Sequence, residues 1–156
     1  MTAKPTPELR PRPRFGVVAV ITRADRFLVI RRSQHVRAPG AFCFPGGGIE
    51  PGETEPGALK RELREEIAAD ARIIRHLWNN MTPSGVQLAW WRAELEGVSP
   101  LQADPAEVAS IHWFSADDLR RLPQVLPTNL DFLDALDRDE FCLEDTPTTP
   151  ESGRLT

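Results

Sequence analysis

Apolar residues along this chain come in short continuous runs at first, and after residue 54 they recur at every fourth position, at Leu59, Leu63 and Ile67. Residues 15–22 (FGVVAVIT) and 26–30 (RFLVI) are rich in β-branched side chains and are separated by Arg23, Ala24 and Asp25, which predicts a β-hairpin. A polar loop over 33–40 follows, then a short strand over 41–44 and a turn at Gly46, Gly47 and Gly48. Residues 54–67 read as a helix: Thr54 suits the N-cap, Glu55 the positive helix end, and Pro56 the first turn. Strands are expected over 73–78, 86–94 and 110–114. Ser115 should cap a short helix reaching Leu122, and Pro127 or Thr128 should open a last helix to about Asp137, with Leu130, Leu133 and Leu136 near helical spacing. Strands and helices mixed without strict β-α-β alternation predict an α/β or α+β fold.

Both ends break this pattern. Residues 1–13 carry Pro5, Pro7, Pro11 and Pro13 among charges, and 138–156 are acidic and rich in Thr and Pro. Without apolar anchors both are expected to be loose: an arm over 1–13, a domain over 14–137, and a disordered tail over 138–156. The 156 residues, 40% of them hydrophobic and 27% charged, suit one domain. A net charge of −4 argues against a stable nucleic-acid partner, which would need dense positive charge. Two cysteines, Cys43 and Cys142, make neither a zinc motif nor a disulfide framework, so a reducing cytoplasm is expected. The longest apolar run is too short to span a bilayer, so no membrane partner is expected.

The chemistry concentrates in residues 47–69, GGIEPGETEPGALKRELREEIAA. On a wheel of about 100° per residue, Glu65 and Glu66 fall within roughly 60° either side of Glu62. Leu59, Leu63 and Ile67 form an apolar stripe beside them that would dock the helix on a sheet. Lys60, Arg61 and Arg64 project mostly elsewhere. Crowded carboxylates repel and destabilise a helix face. A divalent cation reverses that cost, because Mg²⁺ takes a few hard oxygen ligands and leaves positions for water or phosphate oxygens. A glycine cluster beside such a face lets backbone approach the same ligand.

Gly47, Glu53, Arg61, Glu62, Leu63, Glu65 and Glu66, at these spacings, resemble the Nudix box. Chance agreement is on the order of 10⁻⁷ to 10⁻⁸ per starting position. Phe44-Pro45-Gly46 before the box, Trp113-Phe114-Ser115 after a later strand, and the final helix extend the resemblance over about residues 14–137. Two positions depart from it: Ala68 stands where a glycine is expected and Ala69 where a bulky aliphatic is expected. A left-handed exit would cost alanine about 1–2 kcal/mol, so a slightly different helix exit is expected.

The resemblance, to MutT-like nucleotide pyrophosphohydrolases of the Nudix family, implies an α/β/α sandwich around a mixed sheet. It implies Mg²⁺, with Mn²⁺ as an acceptable substitute, held by Glu66, Glu62, Glu65 and the Gly46 carbonyl, with Gly47 against substrate. Arg61 would orient a glutamate and pair with Glu53, both building the site without touching substrate. Glu107 is the candidate general base from a later loop. Arg32, fifteen residues before Gly47, would contact phosphate through its planar donor fork. Asn129 would read a base edge, unless it merely caps the last helix. Trp90 and Trp91 should face opposite sides of one strand, with most tryptophans in the core. His35, His76 and His112 have no metal spacing.

The implied substrate is a small nucleotide, a nucleoside diphosphate linked to another group, with an oxidised or surplus nucleoside triphosphate as the first reading. ADP-ribose, a nucleotide sugar, a dinucleoside polyphosphate and capped RNA are alternatives. A nucleotide-sensing module without turnover would be expected to have lost box carboxylates, and Glu62, Glu65 and Glu66 are all present. A homodimer is left open.

Overall fold

The structure, a computed structural model, describes residues 14–144; the expectations for 1–13 and for 145–156 lie outside the described residues. Its strands are β1 (Phe15–Val20), β2 (Thr22–Arg23), β3 (Arg26–Arg32), β4 (Phe42–Cys43), β5 (Gly46–Gly48), β6 (Ala71–Met81), β7 (Gln87–Leu95) and β8 (Val108–Phe114). Its helices are α1 (Glu55–Ile67), α2 (Ala116–Arg121) and α3 (Pro127–Asp137). One sheet runs β5-β1-β7-β6 and is mixed, with β1 and β7 parallel. The other is antiparallel, with β3 between β4 and β8 and β2 hairpinned onto β3.

Alternation along the central strands divides the interior in two. Val17, Ala19 and Ile21, with Leu28 and Ile30, face Leu59, Leu63 and Ile67 of α1. Val18 and Val20, with Phe27 and Val29, face Leu119 of α2 and Phe132 and Leu133 of α3. Helices thus cover both faces of the sheets, giving the α/β/α layering.

The expected hairpin forms only at its tip, where Thr22 pairs with Phe27 and Arg23 with Arg26. The rest of β1 leaves it and pairs with β5 and β7 instead. The physical reason lies in its composition: after Phe15 every residue of β1 is buried, so it needs cover on both faces and a neighbour at each edge. Gly46–Gly48, expected as a turn, is a short strand on β1. It can lie that close because a Cβ on Gly46 would overlap the Val17 carbonyl.

The packed unit also runs past the expected boundary at Asp137. Phe141 packs on Trp78 and Phe132, with ring centroids 5.9 and 5.0 Å apart. Leu143 joins the same cluster, and Arg75 Nη2 donates to the carbonyls of Cys142 and Glu144. Sparse apolar residues among acids hide this anchor in the sequence. Among the described residues no helix is long and apolar enough to cross a membrane.

Candidate functional site

Helix α1 carries the acidic face. Its start is fixed by Thr54, whose hydroxyl accepts from the Gly57 N–H at 3.1 Å, and by Glu55, whose carboxylate accepts from the Trp91 indole at 2.9 Å. Burial of Leu59, Leu63 and Ile67 then sets its rotation against the sheets. With that rotation, Glu62 and Glu66 turn into one cavity of ≈ 180 Å³, with Gly46, Gly47, Arg32 and Glu107 around them. Glu66 is 5% exposed and accepts from the Gly46 N–H at 3.1 Å.

Electrostatics follow from this crowding. Burial, then the neighbouring Glu62 charge, raises the Glu66 carboxyl well above its ordinary range. Burial raises Glu62 as well, against the opposing pull of Arg61, and burial with the Glu65 charge raises Glu107. Three acids that resist ionisation around one small cavity are poised for a positive ligand.

Glu65 stands outside the cavity. It is half-exposed and accepts from Arg61 Nη1 at 3.2 Å. Arg61, which the helical wheel places mostly away from the carboxylates but the resemblance expects to orient a glutamate and pair with Glu53, reaches back over them. It makes a two-point bond to Glu53, both contacts 2.8 Å, and donates to Glu62 at 3.0 Å and to the Gly48 carbonyl at 2.9 Å. Helix α1, strand β5 and the loop holding Glu53 are thereby joined at one guanidinium. Arg61 holds the Glu53 carboxyl down to about 2. Neither Arg61 nor Glu53 lines the cavity.

Glu107 arrives by a route the sequence does not show. The carbonyls at the end of α1 need partners, and Gln102 N–H donates to Ile67 O and Asp104 N–H to Glu66 O. These bonds dock the loop before β8 onto the helix, and Glu107 follows. Its own carbonyl accepts from Ser33 N–H at 3.0 Å.

Arg32 also borders a second, more apolar cleft of ≈ 260 Å³ that shares Gly46 and Gly47 with the acidic cavity. Arg32 Nε donates to the Arg37 carbonyl at 2.6 Å. Asn129 lines this cleft and is buried. Its Oδ1 accepts from Phe44 N–H at 2.8 Å, and its Nδ2 donates to Thr128 Oγ1 at 3.3 Å. The acceptor is therefore committed to holding α3 on the segment between β4 and β5, and only the second Nδ2 hydrogen is left for a ligand. Helix α3 has no side-chain cap. Arg37, Phe15 and Leu88, missed in the sequence, also border the cleft; loop and strand-end residues carry no periodic signal. Trp90 is fully buried, whereas Trp91 faces the opposite core. His76 and His112 bond to Asn79 and Ser110.

The donor set fits a hard divalent cation. The cavity offers carboxylate oxygens, and a Cβ on Gly47 would fall on the Glu62 carboxylate, so this approach of backbone to acid requires glycine. Among the described residues no three such side chains already surround a single point; Glu62 and Glu66 rest on Arg61 and on the Gly46 amide instead.

Comparison with known proteins agrees with this geometry. Residues 10–136 match the family model described as NUDIX domain. A relative from Pseudomonas putida, named NAD-capped RNA hydrolase NudC, is 32% identical over 119 residues, covering 74% of this chain and 42% of the relative. This chain thus spans less than half the length of such relatives. Among solved structures, a NUDIX hydrolase from Nitrosomonas europaea superposes with a TM-score of 0.68 at 17% identity, over 88% of this chain and 82% of that one. The E. coli ORF135 protein does so with a TM-score of 0.64 at 25% identity, over 86% and 94%.

Proposed function

This chain belongs to the NUDIX family of hydrolases, and from that premise we propose that it hydrolyses a phosphoanhydride bond in a nucleoside diphosphate linked to another group. Mg²⁺ is the proposed cofactor, replaceable by Mn²⁺, and Glu62, Glu66 and a Gly46 backbone oxygen would hold it. The observation that carries this reading is the single cavity that gathers Glu62, Glu66 and Glu107 with Arg32 at its edge. The ion would supply a water of lowered pKa and charge to offset the developing negative charge on phosphate. Arg32 would bind a phosphate oxygen through its planar fork. Glu107, a carboxylate already raised by burial, would take the proton of the attacking water at a side-chain oxygen. Arg61 and Glu53 would position Glu62, and Glu65 would be free to exchange Arg61 for the ion.

A small nucleotide remains the proposed substrate, and the name of the Pseudomonas putida relative, NAD-capped RNA hydrolase, makes a dinucleotide cap a reading to test beside nucleoside triphosphates and ADP-ribose. The thiol of the buried Cys43 suits the reducing cytoplasm proposed as its compartment.

The test is turnover of a panel of nucleoside diphosphate derivatives with Mg²⁺, with products identified by mass. Glu66→Gln should lose at least about a hundredfold in kcat, and Glu107→Gln less. Equal activity in wild type and Glu66→Gln would overturn the proposal. For Asn129, oxidised and ordinary guanine triphosphates are compared before and after Asn129→Ala; unchanged discrimination removes it from base recognition.

A further inference from the structure

The turn that carries Glu107 into the acidic cavity has little of its own to hold it there. Asp104, Pro105 and Ala106 are exposed and Glu107 is half-buried, so no apolar side chain of the turn anchors it to the core. Polar contacts set its place instead. One comes from Ser33, which is 3% exposed and lines neither the acidic cavity nor the apolar cleft. We infer that Ser33 is a positioning residue for the reaction: its hydroxyl holds the Glu107 turn so that the carboxylate stays at the attacking water. This inference rests on the pyrophosphohydrolase reading, with Glu107 as the base, and deepens it by naming what keeps that base in place.

The contacts run in one chain. The β3–β8 ladder shifts register between the Arg31–Ser110 and Arg32–Val108 pairs, leaving Ala109 unmatched. Beyond that shift Ser33 continues the ladder, its N–H donating to the Glu107 carbonyl at 3.0 Å. Its hydroxyl donates to the preceding carbonyl, that of Ala106, at 2.8 Å. The same oxygen accepts from the His35 N–H at 3.1 Å, a local turn that orients it and leaves its hydrogen to the Ala106 carbonyl. Asp104 closes the turn from inside: its carbonyl accepts from Glu107 and Val108, and its Oδ1 from the Ala106 N–H. From outside the turn is tied to α1, through Asp104 N–H and the Glu66 carbonyl, and to β3, through Ser33.

What the hydroxyl adds can be separated from what the backbone adds. A hydroxyl buried this deeply is costly unless it is bonded, and here each of its bonds serves a loop beside the cavity. The bond from the Ser33 N–H survives replacement by alanine, so Ser33→Ala removes one tether and leaves the rest, loosening the turn without releasing it. General-base catalysis depends steeply on such looseness, because the carboxylate has to lie within hydrogen-bond reach of the water it deprotonates. Substrate binding does not pass through this tether. Arg32 is held by the Arg37 carbonyl and the Cys43 thiol, and Glu62 by Arg61. The loss should therefore fall on kcat.

A double-mutant cycle tests this: steady-state kinetics of wild type, Ser33→Ala, Glu107→Gln and the double variant, with ADP-ribose, NAD and deoxyguanosine triphosphate in Mg²⁺, at a temperature where melts show every variant folded. Ser33→Ala should lower kcat by about fivefold to thirtyfold with KM within about twofold of wild type. In the Glu107→Gln background the same change should cost less than about twofold more, since no base is left to misplace. Ser33→Thr, which keeps the hydroxyl, should stay within about threefold of wild type. An unaltered kcat, equal losses in both backgrounds, a loss carried in KM, or Ser33→Thr as impaired as Ser33→Ala would each overturn the inference and leave Ser33 a packing residue. Turnover lost in Glu66→Gln keeps the hydrolase reading standing whatever Ser33 does, and no turnover of any of these compounds by wild type would overturn both.

Discussion

Glu66 sits under electrostatic strain: it is 5% exposed, it faces Glu62, and the Gly46 amide supports its carboxylate from the backbone. A carboxyl whose pKa is raised in the fold holds its proton more tightly folded than unfolded. Its contribution to stability is therefore fully present at low pH and is lost as pH rises from the ordinary carboxylate range through the raised value. At neutral pH without metal the charged form destabilises the protein. Glu66→Gln keeps an oxygen for the Gly46 amide and removes the charge, so the metal-free variant should be more stable than wild type at pH 7 by about 1–2 kcal/mol, or roughly 2–8 °C in Tm. That gain should shrink toward pH 4. Thermal melts of both proteins in chelator across this pH range check it, and a variant that melts lower at pH 7 would contradict the buried-charge account. The cysteines give a second residue-scale contrast. Burial pushes the Cys43 thiol up to about 11 against the pull of Arg32, while Cys142 is exposed. Iodoacetamide at pH 8 should alkylate Cys142 in the native protein and reach Cys43 only after unfolding, as peptide mass mapping would show.

Helix α1 is the element whose detail was most legible in advance, because cap, charge and apolar spacing all point the same way. Thr54 caps it and Ile67 is its last residue, as the pattern predicts. Its exit is not as expected. Ala68 takes the left-handed conformation itself, φ 52° and ψ 35°, and its N–H bonds Arg64 O, the bond that usually follows a glycine there. The expected alternative exit fails because loop bonds to the Glu66 and Ile67 carbonyls already fix the helix end. Alanine therefore keeps the glycine geometry at a conformational cost. Because Ala68 is exposed, Ala68→Gly should relieve that cost without leaving a cavity, raising stability by about 1 kcal/mol, near 2–4 °C. A lower melting temperature in calorimetry would show that the turn is not strained. Glu107 and Arg37 were harder to place, since both sit on loops whose positions depend on long-range bonds to α1 and β3 rather than on any local period.

At the scale of the whole molecule, the mixture of strands and helices was legible and the sandwich was implied by the resemblance to the Nudix family, but the partners of β1 were not legible. Local sequence shows that a strand is buried on both faces, and says nothing of which distant strand lies beside it. The same limit hid the role of the segment after α3. Phe141 touches Trp78 and Phe132, Phe132 stacks on Trp90 at 4.6 Å, and Phe44 meets both Phe132 and Trp90. Phe44 in turn donates its N–H to Asn129 in the cleft. An aromatic plug near the chain's end thus supports the wall of the proposed substrate site through a continuous packed layer. Phe141→Ala should cost about 1–2 kcal/mol, less than a fully buried phenylalanine because its ring is only partly covered. If the layer transmits the loss to Asn129, KM should rise while kcat stays close to wild type, since Glu62, Glu66 and Glu107 lie on the other side of the sheets. Denaturant melts and steady-state kinetics on the same preparation separate the two effects: a stability loss with KM unaltered would confine Phe141 to the core.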